Sequence, residues 1–283
     1  MITVNTLDIF TSDSSVHIGL SNGKRYKILL KDYENLPFEC KSDSMLENIF
    51  IDVNKIGLYD TNKYFDGDCV GFLSFLSQKY SIYNAAVSKV AMTDIPKRML
   101  RTKLFVTYTK YLKKYNEYKT PENQIEIDTD TMKSLCITVC DEFEQLGYID
   151  DKRYAFDKAK YLKEYKKYGN EKIKNYLFTK SIPRDIILEV MDDEFFHDED
   201  TDNENMKNLL VKKYGENLHK LNRDKKDIIK AINMLIRNGY RFPEAKTAVF
   251  DILLDRKNDG NNENSGNNNN NENESDEDNG ENE

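Results

Sequence analysis

The chain has 283 residues, 39% of them hydrophobic and 33% charged, with 14 Phe, 18 Tyr and no Trp. That suffices for one large domain or two modest ones, and the high charge suits thin helical layers with much solvated surface. No apolar run approaches ~18 residues, so no membrane span is expected. The start Met1-Ile2-Thr3-Val4-Asn5 lacks the charged and apolar regions of a secretion signal, which points to a cytoplasmic protein.

The formal charge of −8 is unevenly spread. From Asn258 onward there are nine acids and no Lys or Arg, which leaves residues 1–257 near +1. Residues 97–119 hold eight basic residues against Glu117 alone, and 152–180 hold ten against no more than five acids. Residues 192–204 hold eight acids and no base. Basic helices permit a nucleic-acid partner or an acidic protein surface, although a lysine-rich face is usually just solvated.

Residues 1–33 read as strands. Val16, Ile18 and Leu20 alternate with polar neighbours, as do Tyr26, Ile28 and Leu30, and Asn22-Gly23 between the two runs signals a hairpin. Ile2, Val4, Leu7 and Ile9 supply a third strand. Met45 to Ile56 has helical spacing, Asp66-Gly67-Asp68 is a turn, and Val70 to Tyr80 is helical.

From residue 80 the reading is helical. Expected helices run from Lys103 to Tyr118, Thr131 to Leu146 with Gly147 as C-cap, and Asp151 to Tyr168 closed by Gly169. Asn170 caps the next helix, and Pro183 opens another. Like-charge repulsion makes 192–204 a loop or frayed connector. Met206 to Tyr214, Lys225 to Asn238 and Pro243 to Leu254 are the last helices. Residues 258–283 contain no apolar side chain and are expected to be a disordered acidic tail.

Three segments share one arrangement. An apolar turn residue, Ile95, Ile182 or Tyr240, is followed five positions later by Leu100, Ile187 or Ala245, and nine positions later by Leu104, Met191 or Val249. Pro96 and Pro183 directly follow the first two turn residues. A unit this small cannot bury its apolar face alone, so the fold expected is mainly α: tandem three-helix repeats in an elongated curved array, after a small N-terminal β-hairpin element. The divisions are 1–79, an N-terminal extension; 80–130, repeat 1 with an insert near 116–130; 131–205, repeat 2 with the acidic connector; 206–257, repeat 3; and 258–283, the tail.

Cys40, Cys69, Cys136 and Cys140 lack zinc spacing, and the histidines are His17, His197 and His219 alone, so buried free thiols are the simpler reading. There is no P-loop, Gly-rich fingerprint or Ser/His/Asp set, so neither an enzyme nor a cofactor is expected.

The stretch Leu146-Gly147-Tyr148-Ile149-Asp150-Asp151-Lys152-Arg153-Tyr154-Ala155 resembles the signature of the RecX family of recombination regulators. Gly169-Asn170-Glu171-Lys172-Ile173, Lys180-Ser181-Ile182 and Arg237-Asn238-Gly239-Tyr240 stand where that family has related turns, and Thr93 to Leu104 matches its first repeat more loosely. The resemblance covers about 80–255, and the hairpin resembles the N-terminal extension of Gram-positive, clostridial-like members. It implies a signature at Gly147, Asp150, Asp151, Arg153, Tyr154, Gly169 and Gly239; the residues themselves read as a turn between helices, with Asp150-Asp151 as capping residues rather than a catalytic pair.

The resemblance further implies a monomeric, non-enzymatic protein that binds the RecA recombinase and its single-stranded-DNA filament and inhibits recombinase and ATPase activity in DNA repair and the SOS response. Contact candidates are Arg98, Arg101, Lys103, Lys158, Lys172, Lys174, Arg237 and Arg241, each of which could equally be a solvated helix face. The alternatives are a general nucleic-acid-binding helical protein and a helical protein–protein scaffold. The acidic tail either aids solubility or covers the basic helices until a partner displaces it.

Overall fold

A computed structural model describes residues 2–46, 68–121, 124–125, 127–215 and 225–263, with side chains as far as Leu254 in the last helix. The chain is mainly helical with a small N-terminal sheet, and it divides into two compact units: Met1–Phe156 with Phe178–Ile186, and Asp157–Leu177 with Ile187–Glu283.

In the first unit, β1 (Val4–Phe10), β2 (Ser15–Leu20) and β3 (Arg25–Leu29) form an antiparallel sheet in that order. Val4, Val16, Ile18, Leu20, Tyr26 and Ile28 are buried, as the alternation requires. The turn uses its two signal residues differently. Gly23 takes the left-handed conformation, φ +81°, while Asn22 accepts the Lys24 N–H on its side chain at 3.1 Å.

A short α1 (Leu30–Glu34) leads towards α2 (Cys69–Val90), α3 (Lys97–Glu117) and α4 (Thr129–Gln145). The expected helix 70–80 continues ten residues further, so residue 80 lies inside α2. Asp68, expected in a turn, caps it by accepting the Gly71 N–H. Of the helix expected over 45–56, only Met45 and Leu46 are described, and Met45 pairs with Thr3 in a β-bridge. The remainder, and Asp66-Gly67, lie outside the described residues. α2 packs on β3, α3 and α4, and its Phe72, Leu73, Leu76 and Ile82 join Leu100, Leu104, Leu135, Val139 and Phe143 in one core. The insert after α3 is pinned by Asn116, which exchanges two 2.9 Å hydrogen bonds with the backbone of Ile125.

The four cysteines are buried and free. Burial pushes the thiols of Cys40 and Cys69 up to about 11, and those of Cys136 and Cys140 to about 12.

α5 (Asp151–Glu164), α6 (Asn170–Thr179) and α7 (Arg184–Met191) each contribute residues to both units. The second unit adds a 3-10 turn (Glu194–His197), α8 (Glu199–Tyr214), α9 (Lys225–Arg237) and α10 (Phe242–Glu263). Met206, Leu210, Leu235, Tyr240, Ala245 and Val249 form its own core.

Three expectations are corrected. The acidic stretch 192–204 is no frayed connector, because α8 starts at Glu199. Asp198 accepts the N–H groups of Asp200 and Thr201, and Glu199, Asp200 and Asp202 lie in the first turn, where the helix dipole favours carboxylates. α5 ends at Glu164, not Tyr168, and Gly169 is not its C-cap; Lys167, φ +56°, takes the left-handed position. α10 continues to Glu263, so residues 258–263 are helical, and 264–283 lie outside the described residues.

All nine positions of the internal repeat are buried: Ile95, Leu100 and Leu104; Ile182, Ile187 and Met191; Tyr240, Ala245 and Val249. The residue before the turn position is left-handed in two copies, Ser181 at φ +65° and Gly239 at φ +97°.

Candidate functional site

The signature Leu146–Ala155 builds one helix end and two helix starts. Gly147, φ +76°, closes α4, with its N–H on Glu144 O and the Tyr148 N–H reaching Phe143 O at 2.9 Å each. Asp150 accepts the Arg153 N–H at 2.8 Å and caps its own helix, α5. Asp151 turns elsewhere. Its buried carboxylate accepts the Lys97 N–H at 2.8 Å and so caps α3, where Pro96 offers no side-chain acceptor. Lys97 Nζ meets Asp141 and Glu144 at 2.6 and 2.7 Å. Burial raises the Asp151 carboxyl above its ordinary value, partly opposed by the Lys97 hydrogen bond. These contacts are helix caps and ion pairs.

Gly169 and Gly239 form a second junction, in the second unit. The Gly169 N–H donates to Asn238 O at 2.8 Å, and the Glu171 N–H to Gly239 O at 3.2 Å. A Cβ on Gly169 would lie 2.5 Å from Gly239 C, and one on Gly239 would lie 2.5 Å from Lys172 N. Lys172 fastens the junction. Its Nζ donates to Asn238 Oδ1 at 3.0 Å and sits 3.8 Å from the Tyr168 ring centroid. Tyr240 donates its hydroxyl to Lys167 O at 3.0 Å. Asn170, expected as a cap, is the first residue of α6, and its side-chain amide donates to Phe196 O instead.

The eight contact candidates are divided between the two units. Arg98, Arg101 and Lys103 are exposed on α3 in the first unit; Lys158, Lys172, Lys174, Arg237 and Arg241 belong to the second. Arg237 and Arg241 are exposed on either side of the Gly239 turn, Lys174 pairs with Glu171 at 3.1 Å, and Lys172 is engaged as above. Lys158 lies over two rings, Tyr161 at 5.1 Å and Tyr176 at 6.0 Å.

That last contact belongs to a feature the sequence reading missed. Tyr161 of α5 and Tyr165, just past its end, are 41% and 72% exposed and stack with centroids 5.3 Å apart and planes at 27°. Lys158 and Lys166 flank the Tyr161 ring. A second ladder, Tyr108–Tyr111–Tyr115, runs along α3 with centroid spacings of 5.7 and 6.0 Å, ending under Lys119. Stacked aromatics between lysines suit the faces and phosphates of unpaired nucleotides. The signal was present as tyrosines three or four residues apart with lysines between them.

No family model matches the chain, and no curated protein matches it. Solved structures do. A crystal structure of regulatory protein RecX is similar over 90% of this chain and 100% of its own, with TM-score 0.56 and 13% identity. The fold is that of RecX. A RecX structure from Lactobacillus salivarius is similar over 62% of this chain and 97% of its own, with TM-score 0.47 and 17% identity. At 13% identity the likeness to the first of these is one of fold.

Among the described residues each unit also buries a lysine that the sequence does not single out. Lys79 of α2 meets Asp32 at 2.9 Å and Glu142 at 2.6 Å. Lys163 of α5 meets Asp202 at 3.0 Å and Phe196 O at 3.2 Å. Among the described residues no group of His, Cys, Asp and Glu is arranged to hold a metal ion, and no helix is long and apolar enough to cross a membrane.

Proposed function

We propose that this chain is a RecX-type regulator that binds the RecA recombinase on single-stranded DNA and restrains filament growth, ATP hydrolysis and strand exchange. The likeness to a RecX structure along that structure's whole length carries the reading. The signature residues Gly147, Asp150, Asp151, Gly169 and Gly239 support it, since each has a defined place in a helix junction. In this reading the chain is a monomeric, cytoplasmic, non-enzymatic protein of three repeats, and Arg98, Arg101, Lys103, Lys158, Arg237 and Arg241 are the cationic contacts. The test is RecA ATPase on single-stranded DNA with this protein titrated in. Inhibition is expected at a stoichiometry well below that of RecA; undiminished hydrolysis there defeats the reading.

The tyrosine ladder at the end of α5 favours a second reading, in which the chain binds single-stranded nucleic acid by itself. Fluorescence anisotropy with a labelled oligonucleotide, with and without RecA, separates the two. Salt-sensitive binding indifferent to RecA, reduced about tenfold or more in Y161A/Y165A, favours the second reading, since each stacked base contributes about 1–3 kcal/mol.

A further inference from the structure

Residues 264–283 divide sharply by charge. Asn264 to Asn271 are Asn, Ser and Gly without a charged side chain, whereas 272–283 carry Glu272, Glu274, Asp276, Glu277, Asp278, Glu281 and Glu283 and no base. The segment is therefore an uncharged tether followed by an acidic peptide. Its tether leaves the chain at Glu263, the last residue of α10, in the second unit.

The same unit carries the basic and aromatic face of α5 and α6. Lys160 and Lys166 are exposed, Lys158 is half-buried over Tyr161 and Tyr176, and Tyr161 and Tyr165 expose their stacked rings. Lys158 and Lys166 make no ion pair with a carboxylate among the described residues, while Lys160 approaches Glu164 only at 4.0 Å. The face thus presents ammonium groups and tyrosine hydroxyls, both of which bind carboxylates.

We infer that the acidic segment 272–283 docks on the Lys158–Tyr161–Lys166 face of its own chain and competes there with anionic partners. An eight-residue tether spans up to ~26 Å, comparable to the length of a helix in this unit. Covalent attachment through a short linker holds the peptide at an effective concentration on the order of millimolar, so weak charge pairing suffices to occupy the face. The peptide carries no aromatic ring to stack on Tyr161 and Tyr165, so a single-stranded nucleic acid, which brings both charge and bases, displaces it. The inference does not rest on the RecA reading, because it concerns contacts within one chain.

The test is zero-length carbodiimide cross-linking of the full chain, with linked peptides mapped by mass spectrometry at about 20 mM and about 500 mM salt, across which screening shortens several-fold. Links from Glu272–Glu283 to Lys158, Lys160 and Lys166 are expected at low salt, lost at high salt and on addition of oligothymidylate. Links concentrated on Lys103, Lys110, Lys113 and Lys114 of α3, links spread evenly over all lysines, or no links overturn the inference. A second arm uses E272Q/E274Q/D276N/E277Q/D278N, which keeps the tether. Its affinity for the oligonucleotide should rise about tenfold at low salt and match the unaltered chain at high salt; unchanged low-salt affinity counts against competition. RecA inhibition is not read in either arm, so failure here and failure of the RecA reading stay distinct.

Discussion

The carboxylate of Asp151 accepts the backbone N–H of Lys97 at 2.8 Å, so the first residue of α5 caps the start of α3, 54 residues earlier. Asp151→Ala removes the acceptor and leaves a partly buried N–H unsatisfied. A loss of about 1–2 kcal/mol is expected in urea denaturation, with Asp151→Asn retaining most of it. Asp150→Ala loses only a local cap and should cost about 1 kcal/mol. Equal and negligible costs for both would deny the cross-helix cap.

Gly239 tolerates no side chain, for reasons of both space and conformation. Gly239→Ala places a methyl 2.5 Å from Lys172 N at φ +97°, and Gly169→Ala places one 2.5 Å from Gly239 O. Both are expected to cost more than about 3 kcal/mol, at the severe end for point substitutions. Hydrogen exchange should show protection lost in α6, α9 and α10 while β1–β3 and α2 keep theirs. Gly147→Ala, with nothing within 4 Å of the added carbon, should cost only about 1–2 kcal/mol of conformational strain.

Ser181 occupies the left-handed position that Gly239 holds in the third copy of the repeat. Ser181→Gly should stabilise the chain by up to about 1 kcal/mol, because glycine adopts φ +65° without a Cβ clash. Thermal melting should rise by about 2–4 °C. A fall in melting temperature contradicts this.

Lys163 is fully buried against Asp202. Lys163→Met leaves the Asp202 carboxylate without its cation and is expected to cost about 3–5 kcal/mol, whereas K163M/D202L removes both charges and should recover most of that loss. Chemical denaturation of the two variants measures the difference. No recovery in the double variant shows that the aliphatic stem, not the charge pair, holds the site.

Acid stability follows from two opposed sets of aspartates. Asp151 and Asp202 are raised above their ordinary 3.8 by burial, so ionisation costs folding energy at neutral pH, and stability gained on their protonation appears as pH falls through the raised values. Asp128 and Asp198 are held below 3.8 by hydrogen bonds from Thr131 and Thr201, so their contribution is present above that value and is lost as pH falls further. The urea midpoint should pass through a shallow maximum on acidification and then fall. Asp128→Asn should flatten the lower limb and leave the upper one unchanged.

The helices were legible because their apolar residues recur at i, i+3 and i+4, and the nine repeat positions because an apolar turn residue is followed by two apolar residues one helical turn apart. The local halves of the junctions were legible too: Gly147 as a C-cap and Asp150 as an N-cap both act within four residues. What stayed hidden depends on partners far along the chain. Asp151 reads as a second local cap until Lys97 is beside it. Gly169 reads as a helix end until Gly239 is against it. Lys79 and Lys163 do not stand out in the sequence because a lysine's burial depends on carboxylates supplied from other elements. The acidic stretch misled in another way: repulsion among Glu199, Asp200 and Asp202 is outweighed by their place at a helix start.

The Gly169–Gly239 contact also orders events during synthesis. The first unit has all its residues once Ile186 has left the ribosome, and it can close the Asp151–Lys97 cap while translation continues. Residues 157–177 gain their partners in stages: Phe196 and Asp202 reach Asn170 and Lys163 first, and the backbone against which Gly169 packs is made 70 residues after it. At about 5–20 residues per second, the Gly169–Gly239 contact forms no sooner than about 4–14 seconds after Gly169 is made. A chaperone or protease reaching the chain in that interval meets the Tyr161–Tyr165 pair before its unit has closed.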